Sequence, residues 1–396
     1  MKIQFGIDTL LLEKRNDLRG LRVGLVTNSA ATTAIAPKPL TPTRLALQQA
    51  GVNLVKLFSP EHGLAGHAAE GDEIADEVDV LTGLPVYSLY GATLRPTAAL
   101  LRELDLLLFD IPDIGARFYT YIWTLSYVLE ACAEQRLQLW VLDRPNPLSG
   151  DLRRSEGPML DEAQISTFVG RWTMPVRHSL TSGELACLWN QERALQVVLT
   201  VAPVQGWVRS QSWSETELPF LPTSPNIPNY ETVLLYPGTC LFEGTNLSEG
   251  RGTTLPFRVV GAPWLNSRAV VDALNELALP GVMARAVTFT PTVHKYAGQV
   301  CQGVMLHVVD ASVLRPVAMG LHLLWLIRQL QPEAFQWAPT EQSQTAQPYN
   351  HFDRLIGRRA IRGWIEQMAQ PDAAIIKAWT DASAWQTYVA PHLLYP

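Results

Sequence analysis

Clustered cysteines, nucleotide-binding glycine patterns, basic runs and membrane-length apolar stretches are all missing from this 396-residue chain. Each absence closes off a class of function. The four cysteines, Cys132, Cys187, Cys240 and Cys301, are far apart and nowhere form CxxC. Structural zinc and iron–sulfur sites need clustered thiolates, so the plainer expectation is buried free thiols in a reducing compartment. Charged residues make up only 17%, and the formal net charge is −6. Nucleic-acid binding needs a long basic footprint that neutralises phosphates. Here the densest basic stretch is Arg354, Arg358, Arg359 and Arg362, which reads as one helix face. No stretch reaches the ~18–20 apolar residues of a membrane span. The N-terminus also lacks the long apolar core and small-residue cleavage site of a signal peptide. The expected protein has no nucleic-acid partner and no membrane insertion, and is cytoplasmic unless a leader has been removed. No GxGxxG follows the first apolar strand and no GxxxxGK(S/T) occurs, so no nucleotide cofactor is expected.

Hydrophobic residues, by contrast, reach 47%, enough for substantial cores. The first half alternates strands with helices. Leu21–Thr27, Val52–Phe58, Pro85–Tyr90, Leu104–Phe109, Leu137–Leu142 and Leu195–Val204 read as strands. Thr43–Ala50, Thr97–Glu103, a helix closing over Tyr127–Arg136, and Thr181–Arg193 lie between them. Thr181 with Glu184 three positions on predicts a capping box. Continuous apolar strands separated by helices predict a mostly parallel sheet covered on both faces. Gly206–Pro237 reads as a long crossing segment. Beyond it the pattern predicts helices over Ser267–Leu277, Ala318–Gln329 and Ile356–Met368, and strands over Ala284–Phe289 and Gly303–Val309. The fold class is therefore α/β. A Rossmann-like, mostly parallel sheet domain spans 1–205, and a smaller mixed α/β domain spans 206–396 and closes a cleft.

Ligands of open parallel sheets bind beyond the carboxyl ends of the strands. Four polar segments converge on that rim: Asn28-Ser29, Pro60-Glu61-His62-Gly63, Asp110–Arg117 and Asp143-Arg144-Pro145-Asn146-Pro147. Pro60 stiffens the approach to Glu61 and Gly63 permits a sharp turn after it. That suits a proton donor held partly out of water; a loop-capping carboxylate is the alternative. Asn28 can orient it. His62 and His67, with Glu70 nearby, invite a metal, but the spacing is neither HExxH nor HxH, and no metal is expected. Asp110, at a strand exit, can contact a ligand hydroxyl or tune Glu61. Arg117 suits a two-pronged contact with a carboxylate, and Tyr119 and Tyr121 can stack on a ring. An Asp113–Arg117 pair with core tyrosines is the competing reading. Arg144 sits on a loop stiffened by two prolines. Glu156 is a further carboxylate candidate, or simply a turn residue. The polar stretch Ser224–Phe257 has few helix signals and holds Asn226, Glu243, Asn246, Glu249 and Arg251, which suits a functional loop or an elaborate connector. Lys295 can neutralise an anion.

Read together, the segments GIDTLL, LRVGLVTNSAA, LFSPEHGLAG, FDIPDIGARFYTYIWTL, VLDRPNPLSG, EGPMLD, VRHSLTSGELA, SPNIPNYETVLLYPGTCLFEGTNLSEGRGTTLPF and FTPTVHKYAGQVCQGVMLHV resemble the bacterial exo-β-N-acetylmuramidases, long known as a domain of unknown function. FDRLIG, nearer the end, is similar too. The resemblance implies a Rossmann-like first domain without a nucleotide role and a smaller mixed second domain. It implies removal of terminal β-1,4-linked N-acetylmuramic acid from small peptidoglycan-derived saccharides. The family's catalytic glutamate falls on Glu61. Two departures stand out: Asn229-Tyr230 where the family has Thr-Leu, and Arg153-Arg154-Ser155 before Glu156, where a Val is usual. A glycosidase needs a proton donor and usually a second carboxyl group. Glu61 is the expected donor. Glu156, Glu249, Asp110 and the substrate's own acetamido group are all open for the second task. Arg117, Arg251 or Lys295 is expected to meet the lactyl carboxylate. A metal-assisted hydrolase and a muropeptide-binding protein without turnover are the competing functions.

Overall fold

The computed structural model describes residues 2–66, 68, 75–339, 350–368 and 373–396; His67 and Glu70 lie outside the described residues. The main sheet has seven strands: β1 (Val23–Thr27), β2 (Leu54–Ser59), β3 (Glu77–Val78), β4 (Pro85–Ser88), β5 (Leu106–Asp110), β6 (Gln138–Leu142) and β7 (Leu199–Ala202). Their order is β3-β4-β2-β1-β5-β6-β7, and every pairing is parallel except that of β3 with β4. From β4 to β7 this is the Rossmann order, with the direction of winding reversed between β1 and β5. A second sheet, antiparallel and ordered β8-β10-β9, is built from β8 (Val259–Ala262), β9 (Val282–Phe289) and β10 (Cys301–Val308).

Alternation along the central strands explains why they read as unbroken apolar runs. Val23, Leu25, Leu106 and Leu108 pack on one face with Ile7 and Leu10. Val26, Leu107 and Phe109 point to the other, with Trp123 and Trp189. Both faces are covered, so neither set is polar. The second of these clusters continues past Phe242 to Leu324 and Ile361, so both sheets share apolar interior. The chain end returns to the first sheet: the Tyr395 hydroxyl donates to Asp143 at 2.6 Å, and Leu394 N donates to Glu184 at 2.9 Å. The capping box of Thr181 and Glu184 forms as its spacing predicts.

Two elements differ from expectation. The stretch after Ser224 contains a helix, Tyr230–Thr239, with Pro237 in its last turns. Proline and glycine there weaken any helix signal. Packing decides instead, because Gly238 and Gly320 meet where this helix crosses the Pro316–Leu330 helix. Asn229, one of the two departures, caps it by accepting from Thr232 N at 3.0 Å, a role Thr also fills. The predicted Ile356–Met368 helix spans Arg359–Gln367, and an unpredicted short helix, His351–Ile356, precedes it, separated from it by Gly357 at φ 77°. A glycine takes that left-handed shape without steric cost and ends the short helix.

A methyl group on Gly238 would run into the Pro316 carbonyl oxygen, whereas one on Gly363 meets open space within a helix. Gly238→Ala is therefore expected to destabilise by about 3 kcal/mol through backbone displacement. Gly363→Ala is expected to stabilise by roughly 0.5–1 kcal/mol through unfolded-state entropy. Urea midpoints at constant m-value give both numbers.

Candidate functional site

Glu61 leaves the end of β2 into a tight turn in which His62 and Gly63 take φ of 70° and 77°. His62 tolerates this because its Nδ1 is anchored to Ala68 O at 2.9 Å. The turn presents Glu61 and His62 to a cleft of about 540 Å³. Glu61 is 8% exposed, and the Thr120 hydroxyl donates to its Oε2 at 2.6 Å. Thr120 precedes the Tyr121–Gln135 helix, so the loop after β5 reaches the carboxylate delivered by β2.

Aromatic rings form much of the cleft wall: Tyr90, Phe118, Tyr119, Tyr236 and Phe257. Tyr119 donates to Thr223 Oγ1 at 2.7 Å and Tyr121 to Thr223 O at 3.0 Å; their rings meet edge-on at 4.7 Å. Burial raises both phenols above their ordinary range, so they remain neutral donors. The Asn28 amide donates to the same carbonyl at 3.3 Å. Asn28 and Tyr121 therefore act behind the wall: with Tyr119 they fix Thr223, where the Ser224–Ile227 lining begins. Ser224, Asn226 and Ile227 face the cleft.

The polar part of the cleft centres on Glu243. Its Oε1 lies 2.5 Å from Arg251 Nη1 and accepts from Cys240 Sγ at 3.3 Å; its Oε2 lies 3.3 Å from His351 Nε2. Burial disfavours charge here, but Arg251 and then His351 outweigh it and hold the carboxyl well below the usual carboxylate range. The Arg251 guanidinium lies 4.7 Å over the Phe257 ring. Glu249 takes the same Nη1 at 3.2 Å and receives Lys295 Nζ at 3.1 Å, so it braces Arg251 without lining the cleft. Thr120 and His351 escaped the sequence reading. Thr120 hid between two tyrosines that drew attention, and no spacing links His351 to Glu243.

Several expected site residues are engaged elsewhere. Asp110 is fully buried and saturated by Arg144, at 2.6 and 2.9 Å, and by the Thr43 hydroxyl at 2.5 Å. It has no oxygen to offer a ligand or Glu61. Arg144 borders a separate apolar cavity of about 230 Å³, with Phe5, Trp213 and Phe220. Glu156 accepts from Val317 N and Ala318 N at 3.1 and 2.7 Å, at the start of the Pro316–Leu330 helix. It caps that helix dipole, and burial raises its carboxyl. The Arg153 side chain ahead of it is 81% exposed. Asn246 pins another loop, donating to Ala334 O at 2.9 Å and accepting from Gln336 N at 3.0 Å. Lys295 is held by Phe242 O and Leu247 O as well as Glu249. Arg117 neither faces the cleft nor pairs with Asp113. It is fully buried and donates to Pro158 O, Met174 O and Leu355 O, each at 2.8 Å. Arg117→Leu would leave three buried carbonyls without those donors and is expected to destabilise by ~3 kcal/mol or more, read as a lowered denaturation midpoint.

Comparison with known proteins supplies the lineage. Residues 23–231 match the N-terminal part of the exo-beta-N-acetylmuramidase NamZ family, and residues 234–395 match its C-terminal part. A curated relative, the peptidoglycan beta-N-acetylmuramidase NamZ of Bacillus subtilis (strain 168), is 44% identical over 365 residues, 92% of this chain and 84% of that protein. Two solved DUF1343 family proteins of Bacteroides fragilis NCTC 9343 align over 100% of this chain and 99% of theirs, with TM-scores of 0.87 and 0.76 at 32% and 27% identity. Sequence and fold agree, and the chain belongs to the NamZ exo-β-N-acetylmuramidase family.

Proposed function

We propose that this chain is an exo-acting glycosidase that releases N-acetylmuramic acid from the non-reducing end of small peptidoglycan-derived saccharides. The observation that carries the reading is the placement of Glu61, hydrogen-bonded to the Thr120 hydroxyl and lining an aromatic-walled cleft. Cleavage of a glycosidic bond needs a proton for the departing oxygen while positive charge develops at the anomeric carbon. A carboxyl group whose partner is a neutral hydroxyl can carry that proton in. The rings of Tyr90, Phe118, Tyr119 and Tyr236 suit the faces of a sugar. Of Arg117, Arg251 and Lys295, Arg251 lines the cleft, and its planar fork suits the lactyl carboxylate. The Bacillus relative, a peptidoglycan β-N-acetylmuramidase, supports the substrate class. The four free cysteines fit turnover of such fragments in the reducing cytoplasm.

The test compares two disaccharides, N-acetylmuramic acid β-1,4-linked to N-acetylglucosamine and the matching dimer of N-acetylglucosamine. Hydrolysis of the first alone is expected; equal rates would remove lactyl recognition from the account. Glu61→Gln is expected to lower kcat by ~10²-fold or more, the scale of lost acid catalysis. Thr120→Val is expected to lower kcat/KM by roughly tenfold, the worth of one hydrogen bond to a carboxyl group. An undiminished Glu61→Gln enzyme would rule out this residue as the donor.

A further inference from the structure

The carboxylates that the sequence offered as a second catalytic group are committed elsewhere: Asp110 to Arg144, Glu156 to two helix amides, and Glu249 to Arg251 and Lys295. Glu243 does line the cleft, yet both its oxygens are occupied, one by Arg251 and Cys240 and the other by His351. A carboxylate tied to an arginine on one side and an imidazole on the other is suited to orienting a base. It selects the ring tautomer and stabilises the ring once protonated. The imidazole in question lines the same cleft as Glu61, and its side chain is 25% exposed.

Its backbone is held from both ends, unlike that of a casual surface histidine. Asn350 caps the short His351–Ile356 helix by accepting from Phe352 N at 2.8 Å, and Arg117 holds Leu355 O near its other end. Phe352 packs against Trp337 with ring centroids 4.7 Å apart.

We propose that His351 is the second catalytic residue, the general base for the attacking water, with Glu243 and Arg251 as its positioning residues; the proposal rests on the glycosidase reading above. With Nε2–H donating to Glu243, the neutral ring keeps the Nδ1 lone pair for a proton. Glu61 passes its proton to the glycosidic oxygen as the bond from that oxygen to C1 breaks, and the bonding pair leaves with the oxygen. One water oxygen bonds to C1 from the opposite face, and its proton goes to Nδ1. The negative charge of Glu243 meets the resulting imidazolium. Loss of that proton to solvent and reprotonation of Glu61 reset both groups. The sugar is therefore released with its anomeric configuration inverted, as the α form.

The experiment uses the muramic acid disaccharide and the full chain. His351→Ala is expected to lower kcat by ~10²–10³-fold, with KM within about threefold of the parent. Added imidazole is expected to restore part of that rate. Glu243→Gln is expected to lower kcat by roughly tenfold, with KM again little changed. Proton NMR of the unaltered enzyme is expected to show the α anomer first. A His351→Ala enzyme with kcat within threefold of the parent would overturn the proposal. So would a loss carried entirely by KM, which would make His351 a binding residue, or a β anomer formed first. In each case hydrolysis that still depends on Glu61 leaves the glycosidase reading standing; an inert parent enzyme would bring down that reading instead. The anomer measurement needs no variant, so a His351→Ala chain that fails to fold does not shelter the idea.

Discussion

The cleft depends on one buried guanidinium. Among the described residues Arg117 has no carboxylate partner; its charge is met by the carbonyl dipoles of Pro158, Met174 and Leu355, from segments far apart in the chain. Burial, with a smaller push from Arg358, lowers its pKa to about 9, so it stays charged at neutral pH. A planar fork can hold several carbonyls at fixed angles, which an ammonium cannot do as rigidly. Its own carbonyl accepts from the Trp123 indole at 2.7 Å, fastening the loop after β5 to the helix that begins beside Thr120. Thr120 and His351, which bring Glu61 and Glu243 their neighbours, are thus both placed by segments that converge on this residue.

Residue type does not assign a carboxylate its role here; its neighbours do. Asp110 and Glu156 are both fully buried, yet one neutralises an arginine and the other caps a helix. Glu249 braces a cation. Glu243 is kept ionised by Arg251 and His351, and Glu61 meets a hydroxyl. The same contrast explains why the net-acidic chain keeps arginines inside: several serve carbonyls or carboxylates of the protein itself.

The strands of the main sheet could be read because both their faces are apolar, and a run such as Leu-Leu-Leu-Phe admits little else. The rim could be read too, because a turn signal follows each such run. The Tyr230–Thr239 helix could not: Pro237 and Gly238 argue against it locally, and the close approach to Gly320 that favours it lies some eighty residues further along the chain. The short His351–Ile356 helix could not be read either, because six residues are too few to show a helical period. Among the expected site residues, Glu61, His62, Tyr119, Asn226, Glu243 and Arg251 reach the cleft, while Asp110, Glu156, Arg117, Asn246 and Lys295 turn to internal partners.

By itself, the sequence determined the alternation of strand and helix, the exclusion of nucleotide motifs, the family signature, and the turn that sets Glu61 at the tip of β2. These depend on neighbours within a few residues or on segments that can be compared whole. Only the tertiary structure decided which polar residues face a ligand and which face each other. A hydrogen bond or ion pair is settled by distance in space, and the partners of Glu243, Arg117 and Asp110 come from different parts of the chain.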